Sequence, residues 1–350
     1  MKLFNILFTL FGVVTVIFFL FQILPGDPAR MMMDQNEDVE QLEIIKKKYG
    51  FDEPILKQYL YYLNDLSIIS IHSKNPEKIN FIRENKYSFT KIYDFQNSTL
   101  VLKFPYLRES YQRRGVKVST IIMDTFPNTV VLAISSILFA TVFGLLLGIL
   151  SALYKETLFD NSIQLFSTFG MSMPSFLSSI IFAWIFGFVL ADITGLNMTG
   201  SLFELDDFGD EYRLELKNLI LPSIVLGIRP IAVISMMMRN SLIETLKKNY
   251  VITAYAKGLS KSKVILNHCL KNSLNPVITA LSGWFASLLA GSVFVEYIFG
   301  WNGLGREIVN SLNLLDVPVI IGAVIVVSFS FIMINIFVDY VYKFLDPRIS

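Results

Sequence analysis

The chain alternates between long apolar runs and polar stretches. Six runs are long enough to cross a bilayer, at roughly 4–24, 128–153, 163–190, 217–239, 276–297 and 318–342. A helix rises about 1.5 Å per residue, so about 20 apolar residues span the hydrocarbon core. In lipid each segment must satisfy its own backbone hydrogen bonds, which predicts six transmembrane helices in an all-α integral membrane protein. The fourth is the weakest, because Pro222, Arg229 and Pro230 interrupt it. In the third, Pro174 removes a helix hydrogen bond and predicts a bend. Gly144 and Gly148 in the second run, and Ser282, Ala286 and Ala290 in the fifth, allow close helix approach, within the chain or against a second membrane subunit.

The first run, Leu3 to Leu24, is longer than the ~7–15 residues of a cleaved signal, and no small-x-small site follows it. It is expected to stay as an anchor helix (1–24), followed by a long extracytoplasmic segment (25–127). The short loops then divide their basic residues unevenly. Lys2, Lys155, the basic residues of 239–275, Lys343 and Arg348 fall on one side, with only Arg213, Lys217 and Arg306 on the other. The positive-inside rule puts both termini in the cytoplasm, including a tail at 343–350.

Composition agrees with membrane burial. Hydrophobic residues make up 53% of the chain and charged residues 17%, against about 25% in soluble domains, and mean hydropathy is +0.54. A net charge of +1 gives no basic face for nucleic acid. The single Cys269 excludes an internal disulfide. No Gly-x-x-x-x-Gly-Lys-Ser/Thr sequence is present, so ATP is not bound through a P-loop of this chain. His72 and His268 fall on opposite sides, and the adjacent His268-Cys269 makes a poor ligand pair. No catalytic residue, metal site or cofactor is therefore expected. The runs hold no acidic residue away from their ends, where Glu296 and Asp339 sit, and this argues against an ion-coupled secondary transporter. A non-transporting membrane scaffold or sensor subunit is the third reading. Arg229 is the ionisable residue deep in a run, and such a charge usually faces a cavity or a partner.

Between the fourth and fifth runs lies a loop, 239–275, too long for a tight turn. Propensity predicts a short helix over Tyr250 to Lys257, a stop at Gly258, and a second helix capped by Ser260 with Val264 and Ile265 facing inward. With its small residues Ala254 and Ala256, the first helix suits a groove on a soluble partner, or, being basic, an anionic lipid surface.

The segment Tyr250-Val251-Ile252-Thr253-Ala254-Tyr255-Ala256-Lys257-Gly258-Leu259-Ser260 resembles the coupling loop of binding-protein-dependent permeases, in the dipeptide/oligopeptide/nickel branch of the ATP-binding cassette (ABC) importers. Other short resemblances follow in order. They are Leu24-Pro25-Gly26-Asp27-Pro28-Ala29, Tyr49-Gly50-Phe51-Asp52-Glu53-Pro54 with Gln58-Tyr59, Pro127-Asn128-Thr129 opening the second run, Phe299-Gly300-Trp301-Asn302-Gly303-Leu304-Gly305, and Leu345-Asp346-Pro347-Arg348. Two departures stand out. The wider superfamily's loop begins Glu-Ala-Ala where this chain has Ile252-Thr253-Ala254. A short Gly-Asp-Leu-Gly segment is replaced by an insertion at about 67–110, either a subdomain touching the binding protein or a decoration.

The resemblance implies a type I ABC importer permease of the B type, with a five-helix core over 128–342. Its partners would be a second, C-type permease, two ATP-binding cassette ATPases that hydrolyse ATP, an extracytoplasmic substrate-binding protein and membrane lipid. It implies coupling to the ATPase through Tyr250, Thr253, Ala254, Ala256, Lys257 and Gly258. Arg229 would line the substrate path and meet a peptide carboxylate, or pair with backbone carbonyls beside Pro230. The cargo would be peptide, with nickel or another metal chelate as the alternative.

Overall fold

The computed structural model describes residues 2–23, 27–33, 39–76, 78–82, 88–206 and 209–345. Leu24-Pro25-Gly26 of the first resembling motif, the whole Leu345-Asp346-Pro347-Arg348 motif and the 343–350 tail lie outside the residues whose side chains are described. The chain divides into two compact units, residues 1–124 with 308–328, and residues 125–307 with 329–350.

In chain order the helices are α1 (Lys2–Ile23), α2 (Pro28–Met31), α3 (Val39–Tyr49), α4 (Ile55–Leu66), α5 (Val118–Leu153), α6 (Leu158–Ser172), α7 (Ser175–Trp184) and α8 (Ala191–Thr194). There follow α9 (Ile220–Leu246), α10 (Asn249–Ala256), α11 (Lys261–Val264), α12 (Leu270–Ser273), α13 (Asn275–Gly291), α14 (Val293–Phe299), α15 (Leu304–Asn313) and α16 (Val317–Leu345). Among the described residues, three helices are long and apolar enough to cross a membrane, and five when each bent pair counts as one span; the apolar stretch Ile6–Gln22 of α1 is shorter.

The first unit packs α1 and the start of α16 around α4. Val14 and Phe18 of α1, Tyr59 and Tyr62 of α4 and Ile321 of α16 form its buried cluster, and Thr15 Oγ1 lies 2.6 Å from Tyr59 Oη. Gln58 donates to the Glu53 carbonyl at 2.8 Å, folding the Tyr49–Tyr59 motif onto itself. The inserted region is not structureless. It holds β1 (Ile69–Ser73), β2 (Phe89–Asp94) and β3 (Ser98–Lys103) in an antiparallel sheet of order β1-β3-β2, with a bulge between Lys91 and Tyr93. The sheet's buried face carries polar residues beside Val101. Ser70, His72, Thr99 and Lys103 are buried, while Ile69, Ile71 and Leu102 are exposed. The buried polar groups are satisfied, with His72 bonded to Ser70 Oγ at 3.0 Å and to the Asn80 carbonyl at 3.2 Å.

In the second unit α9 is the central helix. Of the most apolar stretch of Leu216–Leu246, 56% is buried, against 28% for α5. The fourth run is the least apolar of the three long candidate spans, as expected, yet it is one continuous helix. Pro222 lies in the first turn of α9, where its missing N–H is harmless, and packing against α6, α7, α13 and α14 carries the helix through Pro230. The glycines set that packing. A Cβ on Gly144 would meet Ile234 at 2.8 Å, and one on Gly148 would meet the Ser235 carbonyl at 2.6 Å, so this stripe seats α5 on α9 within the chain. Of the second stripe, Ala286 is buried and Ala290 exposed.

Two further expectations shift. α5 begins at Val118, so Pro127-Asn128-Thr129 lies inside the helix, about nine residues past its start. At Pro174 the third span breaks rather than bends: α6 ends at Ser172, α7 starts at Ser175 with Pro174 as its N-cap, and the two axes differ by 109°. A second pair, Lys261–Ser273 and α13, is bent by 50°. A small hairpin, β4 (Phe203–Leu205) and β5 (Tyr212–Leu214), lies between α8 and α9.

Candidate coupling loop and pathway

The loop after α9 folds as its residues direct. α10 turns Val251 and Ala254 inward, into a cluster with Met238, Leu242, Val264 and Cys269. Tyr250, Ile252, Thr253, Tyr255, Ala256, Lys257 and Gly258 are exposed. Ala254 is thus part of the mounting and not of the outward face, a correction to the sequence reading. Its small side chain lets α10 lie close to the helices beneath it.

The stop is a Schellman motif. Gly258 has φ +81°, its N–H donates to the Tyr255 carbonyl at 2.9 Å, and the Leu259 N–H donates to the Ala254 carbonyl at 3.4 Å. A Cβ on Gly258 would meet nothing within 4 Å, so glycine is required by the backbone alone. Ser260 occupies the N-cap position of α11 but its side chain makes no capping bond, whereas Val264 and Ile265 are buried as expected. Asn272 Nδ2 donates to Tyr250 Oη at 2.8 Å and ties the second helix back to α10.

Beside this loop is a site that sequence reasoning missed. Arg239 Nε and Nη2 donate to Asp160 Oδ1 and Oδ2 at 2.7 and 2.6 Å. The fully buried Asp160 carboxylate also accepts from the Ser151 hydroxyl, from Gln164 Nε2 at 3.0 Å and from the Glu156 N–H at 2.9 Å. Each donor lies within nine residues of Asp160 except Arg239, so the ion pair binds the α5–α6 turn to α9.

Arg229 is half-buried, and its Nη2 and Nε donate to the Met173 carbonyl at 3.0 and 3.3 Å. That carbonyl is released by the break at Pro174, since no helix continues past it. The partner is therefore a backbone carbonyl at the α6–α7 break and not one beside Pro230. Arg229 also lines a cavity with Met173, Ser178, Trp284 and Ser287.

Two motifs far apart in sequence meet. Trp301, fully buried, donates Nε1–H to the Asn128 carbonyl at 3.0 Å, Asn128 Nδ2 donates to the Asn302 carbonyl at 2.7 Å, and the Leu304 N–H donates to Thr129 Oγ1 at 2.8 Å. Glu296, also fully buried, accepts from Ser292 Oγ at 2.8 Å and from the Gly305 N–H at 2.6 Å. Gly303 and Gly305 admit this carboxylate, because a Cβ on either would come within 2.8 Å of Glu296 Oε2.

Residues 144–350 match the family described as Binding-protein-dependent transport system inner membrane component, and residues 1–81 match that of the N-terminal part of such membrane components. The chain belongs to this family. The permease is 32% identical over 357 residues to the Di/tripeptide transport system permease protein DppB of Pseudomonas aeruginosa, covering 97% of this chain and 95% of that protein. It is 30% identical to the Dipeptide transport system permease protein DppB of Alkalihalophilus pseudofirmus, over 97% of this chain and 95% of that one. It is likewise 30% identical to the Glutathione transport system permease protein GsiC of Escherichia coli, over 99% and 97%. The fold matches a chain of the MetNI methionine ABC transporter, solved in inward-facing conformations, with a TM-score of 0.53 at 14% identity, covering 65% of this permease and 97% of that chain. The permease is thus a multi-pass inner-membrane component of a binding-protein-dependent transport system, and the family is not itself catalytic.

Proposed function

We propose that this permease forms half of the translocation pathway of an ATP-driven peptide importer. The observation carrying the cargo is the near full-length similarity to permeases named for di- and tripeptides, dipeptides and glutathione. A nickel or other chelate cargo is less favoured, because none of these relatives is named for a metal.

In this reading both termini are cytoplasmic, 25–127 is extracytoplasmic, and the core over 128–342 pairs with a C-type permease. Two ATPases sit beneath, and an extracytoplasmic binding protein delivers the peptide. α10 docks in an ATPase groove through Tyr250, Thr253, Ala256, Lys257 and the outward apolar pair Ile252 and Tyr255, while Ala254 and Gly258 set its seat and its end. The exposed residues, Ile252 and Tyr255 with Thr253 and Lys257, support docking on a protein. Closure of the ATPases moves the coupling helices and switches the pathway between its two openings. Arg229, beside the α6–α7 break, meets the peptide carboxylate.

The test is uptake of a labelled tripeptide in a strain lacking the gene, with plasmid rescue. Loss and rescue are expected. Normal tripeptide uptake with lost nickel uptake would transfer the assignment to the chelate. Arg229→Gln at normal expression is expected to lower uptake, and unchanged uptake removes Arg229 from the path.

A further inference from the structure

α4 has two unlike sides. Tyr59, Tyr62, Leu63 and Leu66 share one arc of the helix and pack with Val14 and Phe18 of α1 and Ile321 of α16. Asn64 and Asp65 stand on the opposite arc and are tied to the inserted region and the chain after it. Asn64 Nδ2 donates to the Ile71 carbonyl at 3.1 Å, the Ile71 N–H donates to Asn64 Oδ1 at 2.9 Å, and Arg108 Nε donates to Asp65 Oδ2 at 2.9 Å. The sheet therefore hangs from the polar arc, and the apolar arc faces the two long helices.

The contacts of the apolar arc lie beside those helices and not beyond their ends. On α1, Phe18 and Val14 come five and nine residues before the end at Ile23; on α16, Ile321 and Ile325 come four and eight residues after the start at Val317. Two apolar helices thus agree on a depth of about 6–14 Å inward, within the ~15 Å half-thickness of a hydrocarbon core.

Part of the apolar arc is left bare at this depth. Leu56, Leu60 and Leu63 form an i, i+4, i+7 stripe. Leu63 packs against the cluster, whereas Leu56 and Leu60 are 68% and 60% exposed. On α1, the stripe of Val14 and Phe18 continues toward the N-terminus through Phe11 and Leu7, which are also exposed. The bare flank of α4 is thus continuous, through the cluster, with the bare apolar surface of the anchor helix.

We propose that α4 is an interfacial helix seated in the outer leaflet, with Leu56 and Leu60 among lipid acyl chains and Asn64 and Asp65 turned to the extracytoplasmic sheet. An amphipathic helix lies at the head-group boundary with its apolar side sunk about 5–10 Å into the acyl region, the depth at which α4 meets α1 and α16. This seat rests on the topology proposed above, in which 25–127 is extracytoplasmic.

Leu56→Cys and Leu60→Cys, and Lys91→Cys on the exposed strand β2, are labelled with a bimane fluorophore in the full complex reconstituted in liposomes. The wild type, whose Cys269 is buried, gives the background. Lipid brominated in its acyl chains is expected to remove most of the fluorescence of both α4 labels and to spare the Lys91→Cys label, and aqueous iodide is expected to do the reverse. Iodide quenching of the α4 labels equal to that at Lys91→Cys overturns the proposal by placing the helix in water. Protection of both α4 labels from both quenchers overturns it too, and assigns the flank to a protein partner. In spheroplasts, Lys91→Cys is expected to react with a membrane-impermeant maleimide. Its failure to react would overturn the topology itself, so the two failures are distinguishable, and peptide uptake enters neither readout.

Discussion

Arg239 clasps Asp160 through two parallel N–H···O bonds of 2.7 and 2.6 Å across 79 residues of chain. The pair is placed next to Met238 and Leu242, the residues on which α10 rests through Val251 and Ala254. Removing one partner leaves the other charge buried, which costs far more than an exposed pair is worth. Asp160→Asn is expected to lower stability by about 3 kcal/mol, seen as a fall in the thermal unfolding midpoint of the detergent-solubilised protein. Exchanging the two residues is not expected to restore it, because Ser151 and the Glu156 N–H would then face a guanidinium.

Gly258 separates backbone from contact. Gly258→Ala places a methyl in open space yet forces an L residue to φ +81°, at a cost of about 1–2 kcal/mol. Gly258→Asn is expected to be milder, since Asn tolerates this region better. Unfolding midpoints ordered Gly, Asn, Ala check the point.

Gly303→Ala is expected to be worse than its size suggests. The new Cβ would lie 2.4 Å from Glu296 Oε2 and 2.7 Å from Thr129 Oγ1, so the buried carboxylate must give way, at about 1–3 kcal/mol. Glu296→Ala in the same background is expected to relieve the clash, so that the double variant falls short of the sum. Additive losses would show that the two residues do not meet.

Asp27 sets an acid limit on the first unit. Burial acts to raise its pKa, but the hydrogen bond and charge of Lys46 and the Ala29 N–H outweigh it, and the net shift is below the ordinary 3.8. A depressed carboxylate contributes stability that is fully present above its unfolded value and is lost as pH falls through the lower folded value. The unfolding midpoint of the wild type is expected to exceed that of Asp27→Asn at pH 6, and the gap is expected to begin to narrow as pH falls below about 4. A constant gap down to pH 3 would contradict the pairing.

Periodicity and span length made much of this fold legible, because a bilayer imposes a minimum apolar run and a satisfied backbone on each crossing. The short helix at Tyr250 and the stop at Gly258 followed from local propensity in the same way. Misreadings arose where tertiary contacts overrule local rules. Pro222 and Pro230 suggest an interrupted helix, yet α9 runs unbroken because its neighbours pack on it. Pro127 stands where the second apolar run opens, yet α5 already runs from Val118. Ile-Ser-Ile-His-Ser at 69–73 alternates as a strand does, but no local rule says that its polar face is the buried one. The Asp160–Arg239 pair was invisible because neither residue is unusual alone and 79 positions separate them. For α10, spacing did carry a usable signal: Val251 and Ala254 share one face, which leaves Ile252 and Tyr255 on the other.

The most direct test of the account is ATP hydrolysis by the reconstituted complex, with binding protein and peptide, comparing wild type with Ile252→Asp and Tyr255→Asp. If the outward face of α10 is the coupling surface, both variants assemble in the membrane and keep the unfolding midpoint of the wild type, yet lose the stimulation of hydrolysis by loaded binding protein. Full stimulation in both variants would contradict it.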